Sequence, residues 1–99
     1  MAIRVMIPTV LRRHTGGQTE IEVNATSLKD LLDRLRESHP SLVEQILTED
    51  GSDFRSFITV FVNDEDVRFL EGLNTPLRPG DTVSLIPSIA GGMNGTPFS

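Results

Sequence analysis

The first quarter of the chain alternates apolar and polar residues in a way that predicts two β-strands. Ile3, Val5 and Ile7 recur at every second position, which is the period of a strand with one buried face. A second strand is predicted over residues 18–23, where the alternation returns. Gly16-Gly17 precedes it as a turn signal, so the two strands are expected to form a hairpin with a long loop.

The period then changes to that of an α-helix. Ser27 is a good N-cap residue, and Asp30 stands three positions later in the reciprocal capping position. The helix is predicted to end near Ser38, because the following His39-Pro40 pair disfavours helical backbone. Residues 41–47 are predicted to form a second, short helical piece. The apolar stripe of the main helix consists of Leu28, Leu31, Leu32 and Leu35.

The second half of the chain is predicted to contain strands separated by turns. A hairpin, one crossing helix and then further strands indicate an α+β class, with the helix on one face of a mixed sheet of about five strands. This order of elements is that of the β-grasp, or ubiquitin-like, fold. The predicted elements are a surface loop 48–55, a strand 57–62, a turn 63–66, a short strand 67–69, a helical turn 74–77, a tight turn 79–81 and a last strand 82–87.

Strand alternation also divides the sheet residues between two faces. Met6, Phe61 and Ile86 are predicted to lie on the face away from the helix, where they would form an exposed apolar docking patch. Scattered exposed apolar residues are the alternative interpretation. The acidic turn at Asp64 and Asp66 is expected to add steering toward basic partners. The residues predicted to face the helix are Ile3, Val5, Ile58, Val60, Val62, Val83 and Leu85.

Composition indicates a soluble protein with one domain. The 99 residues are 37% hydrophobic and 23% charged, and neither a signal peptide nor a membrane-spanning apolar run is visible, so a cytoplasmic location without membrane contact is expected. The net charge of −5 argues against nucleic acid and fits a basic protein partner. Lys29 is the only lysine, whereas a protein tag that is linked to further copies of itself needs several lysine amines. The composition therefore favours a carrier protein over such a tag.

A catalytic or metal site is not expected. The chain has no cysteine, and His14 and His39 lack metal-ligand spacing. The carboxylates at Asp64 and Asp66 could hold a cation, but a solvated turn is the favoured interpretation. No bound cofactor is predicted.

The end of the chain carries a diglycine, Ala90-Gly91-Gly92, directly after the last predicted strand. Glycine has no Cβ, so such a tail can pass through a narrow channel. Residues 93–99 follow it, so the chain is interpreted as a precursor with a domain at 1–92 and a disordered, removable extension at 93–99. A loose terminus that happens to contain glycines is the alternative.

From Ile7 onward the chain resembles the ubiquitin-like sulfur-carrier (MoaD/ThiS) family, most closely its cysteine-biosynthesis branch. The resemblance spans nearly the whole chain and is specific in its second half, whereas the helix and the loop over residues 39–56 match less closely. The residues that carry it are Ile7-Pro8-Thr9, Leu11-Arg12, Thr15 to Gln18, Val62 to Phe69, Gly72-Leu73, Gly80-Asp81 and Pro87 to Gly92.

The resemblance implies that Gly92 is the residue that is adenylated and thiocarboxylated, by a partner that uses ATP. It implies three partners: an adenylating sulfurtransferase, a sulfide-acceptor enzyme such as a cysteine synthase, and a zinc-dependent JAMM-type metalloprotease. The protease would cut between Gly92 and Met93. The chain itself is expected to be a carrier and not an enzyme. The alternative is a ubiquitin-like interaction or modifier domain that is conjugated through its Gly-Gly end.

Overall fold

The computed structural model describes residues 2–87, which contain five strands, two α-helices and three short 3₁₀ helices. The α+β class and the five-stranded mixed sheet predicted from the sequence are confirmed. The strands are β1 (Ile3–Met6), β2 (Glu20–Val23), β3 (Ile58–Val62), β4 (Glu65–Asp66) and β5 (Thr82–Pro87). The α-helices are α1 (Leu28–Ser38) and α2 (Pro40–Ile46), and the 3₁₀ helices are Thr9–His14, Val67–Phe69 and Gly72–Asn74.

The sheet has the order β2-β1-β5-β3-β4, with β5 at its centre. β5 runs parallel to β1 and antiparallel to β3, while the two outer pairs are antiparallel. The helices cover one face of this sheet, and the core lies between the two layers. Every strand residue predicted to face the helix is buried there, together with the leucine stripe of α1: Ile3, Val5, Ile58, Val60, Val62, Val83, Leu85, Leu28, Leu31, Leu32 and Leu35.

The capping of α1 follows the sequence prediction for Ser27 and departs from it for Asp30. The Ser27 hydroxyl accepts a hydrogen bond from the backbone N–H of Asp30 at 3.1 Å, as an N-cap should. The Asp30 carboxylate accepts from the backbone N–H of Thr26 at 3.0 Å, one residue before the position that a capping box uses. Pro40 then begins α2, where its missing N–H is tolerated.

The predicted strand at residues 67–69 is wrong. The short strand β4 lies at Glu65–Asp66, and residues 67–69 form a 3₁₀ helix instead. The Asp66 carboxylate accepts from the backbone N–H of Arg68 at 2.9 Å, which caps this turn. Val67 is fully buried in the core, so the turn is held both by this cap and by the packing of one apolar side chain.

The predicted helical turn at residues 74–77 is also wrong, since the 3₁₀ helix lies at Gly72–Asn74. Residues 75–77 run extended beside the start of α1, where Leu28 donates to the Thr75 carbonyl at 2.9 Å and Leu77 donates to the Thr26 carbonyl at 3.0 Å. These backbone bonds replace those of a helix. The buried Thr75 hydroxyl donates to the Gly72 carbonyl at 2.7 Å and closes the preceding turn.

Candidate functional site: the tail-bearing strand and the open face of the sheet

The strand that leads to the diglycine is the central strand of the sheet. β5 is hydrogen-bonded to β1 on one edge and to β3 on the other. Val83 and Leu85 point into the core, and both are at most 3% exposed. Pro87, the last residue that the structure describes, pairs with Ile58 of β3. The root of the tail is therefore a fixed point of the structure.

The predicted tail residues and the predicted cleavage site lie outside the described residues. Gly92 follows Pro87 by five positions along the chain. An extended chain spans at most about 3.6 Å per residue, so five residues span at most about 18 Å and Gly92 cannot lie farther than that from Pro87. The residues concerned are Ala90, Gly91, Gly92 and Met93.

The three predicted docking residues lie on one face of the sheet, opposite the helices. Met6 on β1 and Phe61 on β3 both pair with Ser84 on β5. Met6, Ser84 and Phe61 therefore form a row across three neighbouring strands. With about 4.8 Å between neighbouring strands, Met6 and Phe61 stand about 10 Å apart. Ile86 lies two positions beyond Ser84 on the same face of β5. Met6 is 37% exposed and Ile86 49% exposed, whereas Phe61 is half-buried.

We call Met6, Phe61 and Ile86 the open-face patch. Ion pairs border it on both sides of the sheet. On one side Arg4 Nε lies 3.2 Å from the Glu20 carboxylate. On the other side Arg68 lies 2.8 Å from Asp66. The patch is thus a small apolar area with a charged rim, the usual arrangement of a protein interface.

The two predicted acidic residues beside the patch differ in their surroundings. Asp66 is bound by Arg68 through both its side chain and its backbone N–H, and these hydrogen bonds lower the pKa of the carboxyl group. Its charge is therefore matched by a cation within the same turn. Asp64 is exposed in the two-residue turn between β3 and β4, at a positive φ of 74°. Asp64 and the neighbouring exposed Glu65 hold the acidic charge that is available to a partner.

Several residues that carry the family resemblance have structural roles. Asn63 has a φ of 50°, a left-handed conformation that asparagine tolerates better than most residues. Its side-chain amide donates to Asp81 at 2.9 Å, and its carbonyl oxygen accepts from the Thr82 N–H at 3.0 Å. The β3–β4 turn is thereby joined to the turn before β5. Gly80, with a φ of 94°, supplies the backbone freedom that the second turn requires.

A cavity lies among the helices and the loop that follows them, away from the open face. Its volume is about 530 Å³, and charged side chains of both signs line it, among them Arg36, Glu44, Asp50 and Arg55. The backbone N–H of Ser52 and the hydroxyls of Thr48 and Ser52 lower the pKa of Asp50 to about 2. Such a carboxyl group is ionised at neutral pH and does not act as a general acid there.

Two absences concern residues 2–87 alone. Within this range no three His, Asp or Glu side chains are grouped so that they could hold a metal ion. None of the helices in it is long and apolar enough to cross a membrane.

Sequence reasoning missed the most exposed large apolar side chain among residues 2–87. Phe69 is 86% exposed at the end of the second 3₁₀ helix, where the sequence pattern predicts a strand. Val10 and Phe57 are 55% and 47% exposed, and the sequence pattern does not predict this exposure either. Their exposure depends on a 3₁₀ helix and on a strand boundary that residue alternation does not reveal.

The sheet order, the helical layer and the tail at the end of the central strand define a ubiquitin-like protein of the β-grasp type. The model of the ThiS family matches residues 5–92, and the chain belongs to this family. It is 37% identical to the sulfur carrier protein CysO of Mycobacterium tuberculosis over 93 residues, which cover 93% of this chain and all of the relative. It is 38% identical to a putative sulfur carrier protein of Archaeoglobus fulgidus, with the same coverage of both chains.

A solved structure shows the same architecture. A chain in the crystal structure of the Amycolatopsis orientalis BexX/CysO complex is 38% identical and superimposes with a TM-score of 0.85. The match covers 91% of this chain and 99% of that one.

Proposed function

We propose that this protein is a sulfur carrier that works through a thiocarboxylate on Gly92. One observation carries the proposal: the ThiS family match ends at Gly92, the second glycine of the diglycine, and not at the last residue of the sequence. Relatives matched over their whole length are named sulfur carriers. The tail after β5 is therefore the group that we expect to carry sulfur.

The first step is proteolysis. In a chain that continues to Met93, the carbonyl carbon of Gly92 belongs to an amide. Hydrolysis of the Gly92–Met93 bond by a JAMM-type zinc metalloprotease would give Gly92 a free carboxylate. The extension therefore blocks charging until it is removed, and this makes residues 1–92 the working domain.

The second step is activation by an adenylating sulfurtransferase. The Gly92 carboxylate attacks the α-phosphorus of ATP, and pyrophosphate leaves. A sulfur nucleophile then attacks the carbonyl carbon of the acyl adenylate and displaces AMP, which leaves a thiocarboxylate. An acceptor enzyme, such as a cysteine synthase, takes the sulfide, and hydrolysis restores the carboxylate. The partners supply ATP and the catalytic groups.

The described residues support this division of labour. β5 fixes the root of the tail, and the open-face patch lies on the same strand, since Ile86 stands next to Pro87. An enzyme that docks on Met6, Phe61 and Ile86 would thus have the tail beside it. The structurally similar chain noted above comes from a complex with a second protein, BexX, which is the kind of association that the proposal requires.

Mass spectrometry of the carrier tests the proposal. A chain ending at Gly92 and the chain continuing through Met93 are each incubated with ATP, sulfide and the adenylating sulfurtransferase, without protease. The shorter chain is expected to gain the mass of one sulfur in place of one oxygen, and the longer chain is expected to stay unchanged. Equal charging of the longer chain would refute the processing step. Amide conjugates of the shorter chain to other proteins, without a thiocarboxylate, would favour the modifier function.

A further inference from the structure

The charge of this acidic protein is unevenly distributed along the chain. Residues 1–19 contain Arg4, Arg12 and Arg13 but no aspartate or glutamate, so their formal charge is +3. Because the whole chain has a net charge of −5, the remaining residues carry −8. The amino-terminal segment is thus a basic region on an acidic molecule.

Two of these arginines lie at the end of the sheet from which the tail leaves. β1 and β5 are parallel, with Met6 opposite Ser84, so both strands end on the same side of the sheet. The 3₁₀ helix Thr9–His14 follows β1 directly and carries Arg12 and Arg13 in its last turn. The basic region therefore stands beside the point where β5 ends.

These two arginines have no carboxylate partner among residues 2–87, whereas Arg4 is paired with Glu20. Arg12 donates from Nε to the Ile7 carbonyl at 3.2 Å, which anchors its side chain against the end of β1. Arg13 is exposed, and its Nε donates to His14 Nε2 at 3.5 Å. Their positive charge is available to a partner.

A third cation and an exposed ring stand on the other side of β5. Residue 57 directly precedes β3, whose first residue pairs with Pro87, so Phe57 lies at the same end of the sheet. Arg55 lies 6.0 Å from the centre of the Phe57 ring, and its Nε donates to the Glu44 carbonyl of α2 at 2.6 Å. α2 also packs against the 3₁₀ helix Thr9–His14, so this helix and Arg55 share one support.

We propose that these residues form a second docking surface, the exit collar, which binds an acidic protein surface around the mouth of the channel that receives the tail. The collar consists of Val10, Arg12, Arg13, Arg55 and Phe57. The inference rests on the proposed function only for the identity of the partner. The cations would attract that acidic surface, while the exposed apolar residues provide contact area once water is excluded.

Charge complementarity favours an acidic protein over nucleic acid as the occupant. Nucleic-acid binding depends on the number of phosphates that are neutralised, and the collar offers three arginines beside a remainder of −8. For an acidic protein surface, the same imbalance has a useful consequence. Such a partner is repelled by most of the molecule and attracted at the exit end, so the tail is presented first.

A titration followed by two-dimensional NMR tests the collar without any knowledge of the partner. The probe is a polyglutamate peptide of about ten residues, added to residues 1–92 at low ionic strength, where exposed charges are least screened. Amide shifts are expected to concentrate in residues 9–14 and 55–57. The variant Arg13→Glu is expected to weaken binding about tenfold. Arg13→Lys should retain it, and Lys29→Glu, with the same change in net charge at another surface, should have little effect.

Three outcomes would overturn the inference. Shifts spread evenly over the surface, or centred on Lys29, would show that the exit end is not a preferred site. Equal weakening by Arg13→Glu and Lys29→Glu would show that net charge alone matters. Tighter binding of a single-stranded RNA of similar length at the same residues would assign the collar to nucleic acid. None of these results depends on thiocarboxylate formation, so a failure of the collar and a failure of the carrier function are distinguishable.

Discussion

Neighbouring residues on β5 are expected to differ sharply in what their truncation costs. Leu85 is 3% exposed and faces the core, and Leu→Ala at such sites lowers the free energy of unfolding by about 2–5 kcal/mol. Ile86 is 49% exposed on the open face. Full burial of an isoleucine side chain stabilises by about 1.5–3 kcal/mol, so Ile86→Ala should cost about 1 kcal/mol. Leu85 and Ile86 are neighbours on the same strand and have side chains of the same size, so they differ mainly in the face of the sheet on which they lie.

Urea denaturation of residues 1–92, followed by circular dichroism, measures this difference. Leu85→Ala should shift the midpoint at least twice as far as Ile86→Ala, with similar slopes. Similar losses for the two variants, or a larger loss for Ile86→Ala, would show that the face assignment of β5 is wrong and would remove the basis of the open-face patch.

The same strand position tests docking. Ile86→Asp should lower affinity for the adenylating sulfurtransferase about tenfold, because a charge replaces the most exposed apolar side chain of the patch. Phe69→Asp is the matched control, since it places the same charge on an exposed apolar site outside the patch. Calorimetry that finds equal affinities for the two folded variants would place the interface elsewhere.

Three further predictions concern the tail, a turn and the response to acid. Gly91→Val should leave unfolding unchanged and abolish thiocarboxylation of a chain ending at Gly92, because a Cβ obstructs a narrow channel; normal charging in the mass assay contradicts this. Asn63→Ala should destabilise by about 1 kcal/mol more than Asn63→Gly, since glycine adopts the positive φ without strain and alanine does not; equal urea midpoints contradict the strain argument. The folded-state pKa of Asp50, about 2, lies below its ordinary value of 3.8, so its stabilisation is present above about pH 4 and is lost as the pH falls toward 2. Asp50→Asn should therefore make the urea midpoint depend less on pH between about pH 4 and pH 2. An unchanged pH dependence of the midpoint would contradict the lowered pKa of Asp50.

The parts of the fold that periodicity predicts are those with one buried face. Alternation in β1 and β5 and the leucine stripe of α1 follow directly from burial against a single layer. Ser27 and Pro40 mark helix boundaries because their preferences act within one turn of the chain.

The elements that were mispredicted depend on contacts distant in sequence or on short caps. Residues 75–77 are extended because they pair with the start of α1, nearly fifty positions earlier in the chain. Residues 67–69 turn because Asp66 caps the Arg68 N–H, a bond that competes with the strand ladder. Val67 would suit a strand or a turn equally well by its apolar character, so no local signal decides between them.

The candidate site divides in the same way. Residue alternation and strand order together predict that one face of the sheet carries Met6, Phe61 and Ile86. The structure has the predicted alternation and strand order. The pairing of Asp66 with Arg68 and the gathering of two arginine-bearing segments around the end of β5 do not follow from alternation. They arise from turn geometry and from the way α2 supports both segments.

A carrier of this kind needs a fixed origin for its tail more than it needs reactive groups. Core packing through Val83 and hydrogen bonds on both edges hold β5 as far as Pro87. Because Gly92 cannot lie more than about 18 Å from that point, an enzyme that acts on Gly92 as proposed must approach this end of the sheet closely. The open-face patch and the exit collar are the surfaces that such an enzyme would meet first. The cationic collar attracts a partner over a long range and would govern the rate of association. The apolar patch makes close contact in the complex and would govern the rate of dissociation. Variants in the collar should therefore change the salt dependence of binding, and variants in the patch should change residence time.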